Sequence, residues 1–226
     1  MKSLIILSLI ILNQIAFSQS DDWANLNRYR QENLNLKSSL ENENRVVFMG
    51  NSITEEWIKI CPEFFTKNNY INRGISGQTT PQMLIRFRQD VVNLKPKTVV
   101  ILAGTNDIAG NTGPSTLEMI EDNIKSMVEI AKANDINVIL SSVLPVFDYP
   151  WKPGINPSEK IIELNSWIKA YSESNQIIYV DYFSAMVDDR NGLKKEYSKD
   201  GVHPNSEGYK VMKPLIEEAI KKLIAP

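Results

Sequence analysis

The chain has 226 residues, 42% hydrophobic and 23% charged, a balance that suits one globular domain with a core able to hold a covered sheet. A formal net charge of −2 with no run of Lys and Arg argues against nucleic acid as a partner. A single Cys and a single His leave neither a disulfide framework nor a zinc site of clustered His and Cys. No metal or organic cofactor is expected. In chain order, Lys2 precedes an apolar run from Leu4 to Leu12, with small residues following at Ala16 and Ser18. This pattern predicts a secretory signal peptide over residues 1–18, too short for a spanning helix of roughly 20 residues. The remainder, 19–226, is expected as one domain, periplasmic or secreted, without a stable membrane anchor after cleavage. Cys61 is read as a packing residue.

Short, nearly continuous apolar runs follow at Val46–Met49, Tyr70–Asn72, Thr98–Leu102, Val138–Leu140 and Ile177–Val180. Such runs indicate strands buried on both faces, as in a parallel sheet. Between them lie helical patterns with readable starts. Thr80 precedes Pro81, with Met83, Leu84, Phe87 and Val91 on one face. Ser115 and Glu118 have capping-box spacing ahead of Ile120, Ile124, Met127, Val128 and Ala131. Ser158 is expected to cap a helix that turns Ile161, Leu164, Ile168 and Tyr171 inward. Asn205 or Ser206 starts the last helix, with Val211, Met212, Leu215, Ala219, Ile220 and Leu223 buried and Pro214 expected to kink or restart it. The alternation predicts βαβ units in a three-layer α/β fold. The segment Pro145–Pro157, with four prolines and three aromatic residues, is expected as a long stiff loop after the fourth strand.

Open parallel sheets bind ligands beyond the carboxyl ends of their strands, so the segments after each strand carry the functional signal. They are Gly50-Asn51-Ser52-Ile53, Arg73-Gly74-Ile75-Ser76-Gly77, Ala103-Gly104-Thr105-Asn106-Asp107 and, after the fifth strand, Asp200-Gly201-Val202-His203-Pro204. His203 is the one imidazole, and Asp200, three positions earlier across a Gly, can reach its Nδ1. Ser52 sits where a strand turns into a helix, a place that exposes a hydroxyl and aims helix amides at developing negative charge. It needs a base such as His203 to act as a nucleophile. Gly74 and Asn106, with the Ser52 N–H, are the candidate donors around an oxyanion. Tyr149 and Trp151 are candidate substrate-lining aromatics. Asp181, Asp188 and Asp189 are alternative carboxylates for the imidazole, though without the short spacing of Asp200.

Taken together, these segments resemble the SGNH hydrolase superfamily, also called GDSL-type esterases. The resemblance rests on Ser52 in Val46–Thr54, Gly74 in Asn72–Gly77, Asn106 in Gly104–Asp107, and Asp200-Gly-Val-His203, and covers the chain from about Arg45 to the C-terminal helix. Thr54-Glu55-Glu56-Trp57 and Gly77-Gln78-Thr79-Thr80 are similar to the branch containing platelet-activating-factor acetylhydrolase subunits and bacterial acetyl-ester hydrolases. The resemblance implies a flavodoxin-like α/β/α sandwich with a five-stranded parallel sheet. It also implies Ser52 as nucleophile, His203 as base, Asp200 as orienting acid, and Ser52, Gly74 and Asn106 as the oxyanion hole. One departure is Asn51 where the family often has Asp. Neither the Gly-x-Ser-x-Gly of α/β-hydrolases nor a phosphate-binding glycine loop is present. The expected function is hydrolysis of short-chain, chiefly acetyl, esters of small molecules or glycans. Lysophospholipase or thioesterase activity and a non-catalytic carbohydrate-binding protein stand as alternatives.

Overall fold

Alternate residues of the central strands face opposite ways, and both sets are apolar. Val47, Met49, Val99, Ile101, Val138 and Leu140 pack into one core, while Val46, Phe48, Val100, Leu102 and Ile139 pack into the other. The computed structural model describes residues 22–37 and 44–224, so the expected signal peptide lies outside the described residues. The strands are β1 (Val46–Gly50), β2 (Tyr70–Gly74), β3 (Thr98–Leu102), β4 (Asn137–Ser141) and β5 (Ile178–Val180). All pair in parallel, in the order β2-β1-β3-β4-β5. This is the flavodoxin-like order, and its switch point lies between β1 and β3. Ser52 follows one of these strands and Asn106 the other.

The helices are α1 (Arg30–Lys37), α2 (Ser52–Ile60), α3 (Pro62–Thr66), α4 (Thr80–Asp90), α5 (Thr105–Ile108), α6 (Leu117–Lys132), α7 (Ser158–Ser174), α8 (Tyr182–Met186) and α9 (Ser206–Ile224). Helices α4, α6 and α7 cover the first core, and α2, α3, α8 and α9 the second. This is the expected three-layer sandwich.

Several helix starts lie one residue from their sequence expectation. Thr79, not Thr80, forms the capping box with Gln82, and Thr116, not Ser115, accepts from Met119 N–H at 3.2 Å. Ser158 caps nothing; its Oγ donates to Val146 O at 3.0 Å, tying α7 to the preceding loop. Helix α9 does not restart at Pro214. Pro214 and Lys210, whose carbonyl loses its i+4 donor, are both exposed, so solvent can satisfy that carbonyl. The buried stripe of α9 gains Tyr209 and Ile216, while Val211, Leu215 and Leu223 are only partly covered.

Phe48 centres an aromatic cluster with Trp57, Phe64, Phe65 and Tyr70, and Trp57 stacks on Tyr209 at 5.2 Å. The Tyr209 hydroxyl donates to Ile53 O at 2.7 Å, fixing the start of α9 against the start of α2. That contact brings the segment carrying His203 to the segment carrying Ser52. Cys61 is partly buried against this same core, as expected of a packing residue.

Candidate active site

Five chain segments meet at the carboxyl end of the sheet around a cavity of about 620 Å³. Its wall includes Ser52, Gly77, Asn106, Trp151, Asp200 and His203. Ser52 is the first residue of α2, whose N-cap is Asn51; the Asn51 Oδ1 accepts from Ile53 N–H at 3.0 Å. The residue that departs from the family's Asp thus does the capping an Asp would do.

The Ser52 Oγ lies 2.9 Å from His203 Nε2, and His203 Nδ1 lies 2.7 Å from Asp200 Oδ2. The other Asp200 oxygen accepts from His203 N–H at 2.8 Å, Val202 N–H at 2.9 Å and Ser198 Oγ at 3.0 Å. Partial burial pushes this carboxyl's pKa up, but the bonds from the His203 backbone and ring and from Val202 outweigh it and bring it down to about 2. A carboxylate so held stays ionised and fixes which imidazole nitrogen carries the proton. Two of the three alternative carboxylates are engaged elsewhere: Asp181 accepts from Ser184 N–H and Oγ at the start of α8, and Asp188 from the Arg190 and Gly192 amides.

The expectation for Gly74 is overturned. Strand β2 continues two residues beyond Asn72, so Gly74 is its last residue, paired with Gly50, and is buried. Its N–H donates to Asn72 Oδ1 at 2.9 Å, and its carbonyl accepts from the Tyr29 hydroxyl. No donor is left for a ligand. The glycine is required for another reason: a Cβ there would stand 2.2 Å from the Glu55 amide nitrogen, so only Gly lets α2 approach this closely.

Gly77, three residues on, lines the cavity at φ +77. Among the described residues neither the Gly77 N–H nor the Ser52 N–H finds an acceptor. Asn106 is where the sequence suggested, in the first turn of α5. Its Nδ2 spends one hydrogen on Gln78 O at 2.9 Å and keeps a second. Two free backbone amides and one side-chain amide thus belong to residues of a single cavity.

Tyr149 does not line it. The ring is fully buried, its hydroxyl donates to Thr105 O at 2.8 Å, and burial pushes its pKa well up. Trp151, 46% exposed, lies over Tyr149 at 5.1 Å and reaches to 6.0 Å from the His203 ring.

A polar framework that sequence reasoning missed holds the loops behind this cavity. Arg86, fully buried on α4, pairs with Asp90 at 3.0 Å and donates to Gly50 O, Arg73 O and Gln78 Oε1. It therefore connects the ends of β1 and β2 with the segment that carries Gly77. Glu55 binds the Ser76 N–H at 2.8 Å, and Asn111 Nδ2 donates to Gly77 O at 3.1 Å. The signal for Arg86 and Asp90 was present: both fall on the apolar face of α4 defined by Met83 and Phe87, where an unpaired charge would not be tolerated.

A serine hydroxyl bonded to an imidazole, itself bonded to a carboxylate and set beside free amides, is a constellation for acyl transfer. On this fold it fits the class of ester hydrolases. The family model for the GDSL-like lipase/acylhydrolase family matches residues 48–211, and the chain belongs to that family and is an esterase. A GDSL-like lipase from Bacteroides thetaiotaomicron has a crystal structure that superposes with a TM-score of 0.87 at 50% identity, covering 89% of this chain and all of that one. The platelet-activating factor acetylhydrolase IB subunit alpha2 of Rattus norvegicus is 26% identical over 185 residues, 78% of this chain and 76% of the relative. A shorter match, 31% over 98 residues, covers 42% of this chain and 40% of the lipoprotein YqeF of Bacillus subtilis.

Proposed function

We propose that the protein hydrolyses short-chain carboxylic esters, chiefly acetyl esters of carbohydrates, through an acyl-serine intermediate. The observation that carries this reading is the Ser52–His203–Asp200 hydrogen-bonded chain, at 2.9 and 2.7 Å, in a cavity with unspent amides. His203 Nε2 takes the Ser52 proton as Oγ attacks the ester carbonyl, and the carbonyl oxygen gains negative charge. The Ser52 N–H, the Gly77 N–H and Asn106 Nδ2 stabilise that oxyanion, with Gly77 in the role first expected of Gly74. The tetrahedral adduct collapses as His203 returns the proton to the departing alcohol. Water, deprotonated by the same nitrogen, then releases the acid and restores Ser52. Asp200 holds the Nδ1 proton throughout.

An acetyl group suits an open cavity whose apolar wall includes only Ile60 and the ring of Trp151 as large side chains. The acetylhydrolase relative points the same way. The residues 1–18 pattern supports action outside the cytoplasm, which N-terminal sequencing of the exported protein tests.

The catalytic reading is tested with nitrophenyl esters of increasing acyl length. Turnover highest for acetyl and lost in Ser52→Ala and His203→Ala is the expected result. Faster turnover of long-chain esters or lysolipids would overturn the short-chain assignment in favour of a lysophospholipase. Full activity in Ser52→Ala would overturn the mechanism.

A further inference from the structure

A second cavity of about 480 Å³ opens beside the first and shares Ser76, Gly77 and Asn111 with it. Its outer wall is the segment Asp22–Asn25, ahead of α1. Three glutamine side chains reach out from the loop before α4 and from α4 itself to hold this segment. Gln82 Nε2 donates to Trp23 O at 2.7 Å, Gln78 Nε2 to Ala24 O at 2.8 Å, and Gln89 Nε2 to Leu26 O. Asp22 closes the turn by accepting from Leu26 N–H at 2.6 Å and Asn27 N–H at 2.8 Å.

This is a built wall, and it presents an unusual surface. Ala24 and Tyr29 anchor the segment in the interior, yet Trp23 remains 39% exposed and lines the cavity. Among the described residues the Asn25 side-chain amide and the Asn111 Oδ1 have no intramolecular partner. An indole with amide and hydroxyl groups around it is unsuited to a hydrocarbon chain, which would leave those groups unpaired. It suits a polyhydroxylated ring, whose C–H face packs on the indole while its hydroxyls bond to the amides.

We propose that this second cavity is a subsite for a sugar unit of an oligosaccharide ester, removed along the chain from the acylated hydroxyl, with Trp23 as its stacking platform. The inference rests on the ester-hydrolase reading of the first cavity. The acyl group occupies the first cavity near Ser52, and the glycan runs past the Ser76–Gly77 rim into the second. Longer acetylated glycans then bind better than single acetylated sugars, and the gain resides in KM.

The experiment compares acetylated xylo- and cello-oligosaccharides of one to four units with nitrophenyl acetate, in wild type, Trp23→Ala and Trp23→Phe. The expected result is a kcat/KM that rises with chain length in at least one series by about tenfold. Trp23→Ala abolishes that rise and lowers the ratio of oligosaccharide ester to nitrophenyl acetate, and Trp23→Phe restores part of it. Circular dichroism verifies that each variant is folded. Equal kcat/KM for one-unit and four-unit substrates in both series, or a length dependence untouched by Trp23→Ala, overturns the subsite while leaving the esterase intact. If no ester is turned over, the catalytic reading fails. The subsite is then judged by calorimetric titration with the deacetylated four-unit glycans, where absence of binding in wild type overturns it.

Discussion

The Arg86 guanidinium donates to the Gly50 carbonyl at 3.0 Å, placing a buried cation two residues before Ser52. The same nitrogen reaches Arg73 O at 2.8 Å, and the charge is balanced by Asp90. Removing one member of such a pair strands the other charge in the interior. Arg86→Met is expected to destabilise the fold by about 3–5 kcal/mol, read from urea unfolding. Replacing both Arg86 and Asp90 by apolar residues is expected to cost less than the single change. Equal stability of Arg86→Met and wild type would show that the pair does not bear on folding.

The two glycines at the end of β2 and just beyond it, Gly74 and Gly77, should separate cleanly. Gly74→Ala drives a Cβ against the Glu55 backbone and is expected to prevent folding or sharply lower Tm. Gly77→Ala meets no atom within 4 Å, and its cost is confined to the left-handed φ of +77, roughly 1–2 kcal/mol. It is expected to fold and to lose turnover, because its amide is set by that φ. Soluble, active Gly74→Ala protein would contradict this division.

Asn106→Ala removes one of the donors proposed for the oxyanion and is expected to lower kcat by about 10²–10³-fold with little change in KM. Steady-state kinetics on nitrophenyl acetate measures both constants. A change confined to KM would make Asn106 a ground-state binding group.

Asp200 and Asp107 predict opposite responses of stability to pH. Asp200 is drawn down to about 2, below its unfolded value of roughly 3.9. Its stabilising contribution is complete above that unfolded value and disappears as pH falls through about 2. Asp200→Asn is expected to remove this acid loss and to lower kcat by about 10⁴-fold, because the amide no longer holds the proton on Nδ1 and the imidazole takes the wrong tautomer.

Asp107 lies buried beside Asn106, where desolvation pushes its pKa up to about 6 despite bonds from the Thr80 N–H and hydroxyl. The folded state then binds more protons than the unfolded one between about 4 and 6, so stability falls as pH rises across that window. Asp107→Asn is expected to flatten that fall, measured by urea unfolding at successive pH values. A wild-type profile with no decline there would contradict a raised Asp107.

Much of the candidate site was legible because few residues could supply its proposed chemistry. One histidine, an acid three residues before it, and a serine and an asparagine directly after apolar runs left little choice. Gly74 was misread because the length of β2 cannot be taken from its apolar residues. Asn72 and Arg73 are polar yet buried, since Asn72 bonds to Thr54 O while Arg73 is held by Asn33 on α1. The strand therefore runs on to Gly74, and the exposed glycine is the next one. Tyr149 and Trp151 are two residues apart in a proline-rich loop, and composition says nothing of which faces inward. The buried hydroxyl partner in Thr105 makes that choice.

By itself the sequence determined the alternation of strands and helices, the parallel sheet and the residue types available for acyl transfer. Those follow from local hydrophobic periodicity and from the scarcity of imidazole. Only the tertiary structure decided which amides remain unspent, which aromatic ring reaches the cavity beside Ser52, and that Arg86 holds the loops behind that cavity while three glutamines hold the wall of the second. A donor's availability depends on every acceptor brought near it by folding, and those acceptors come from residues distant in the chain.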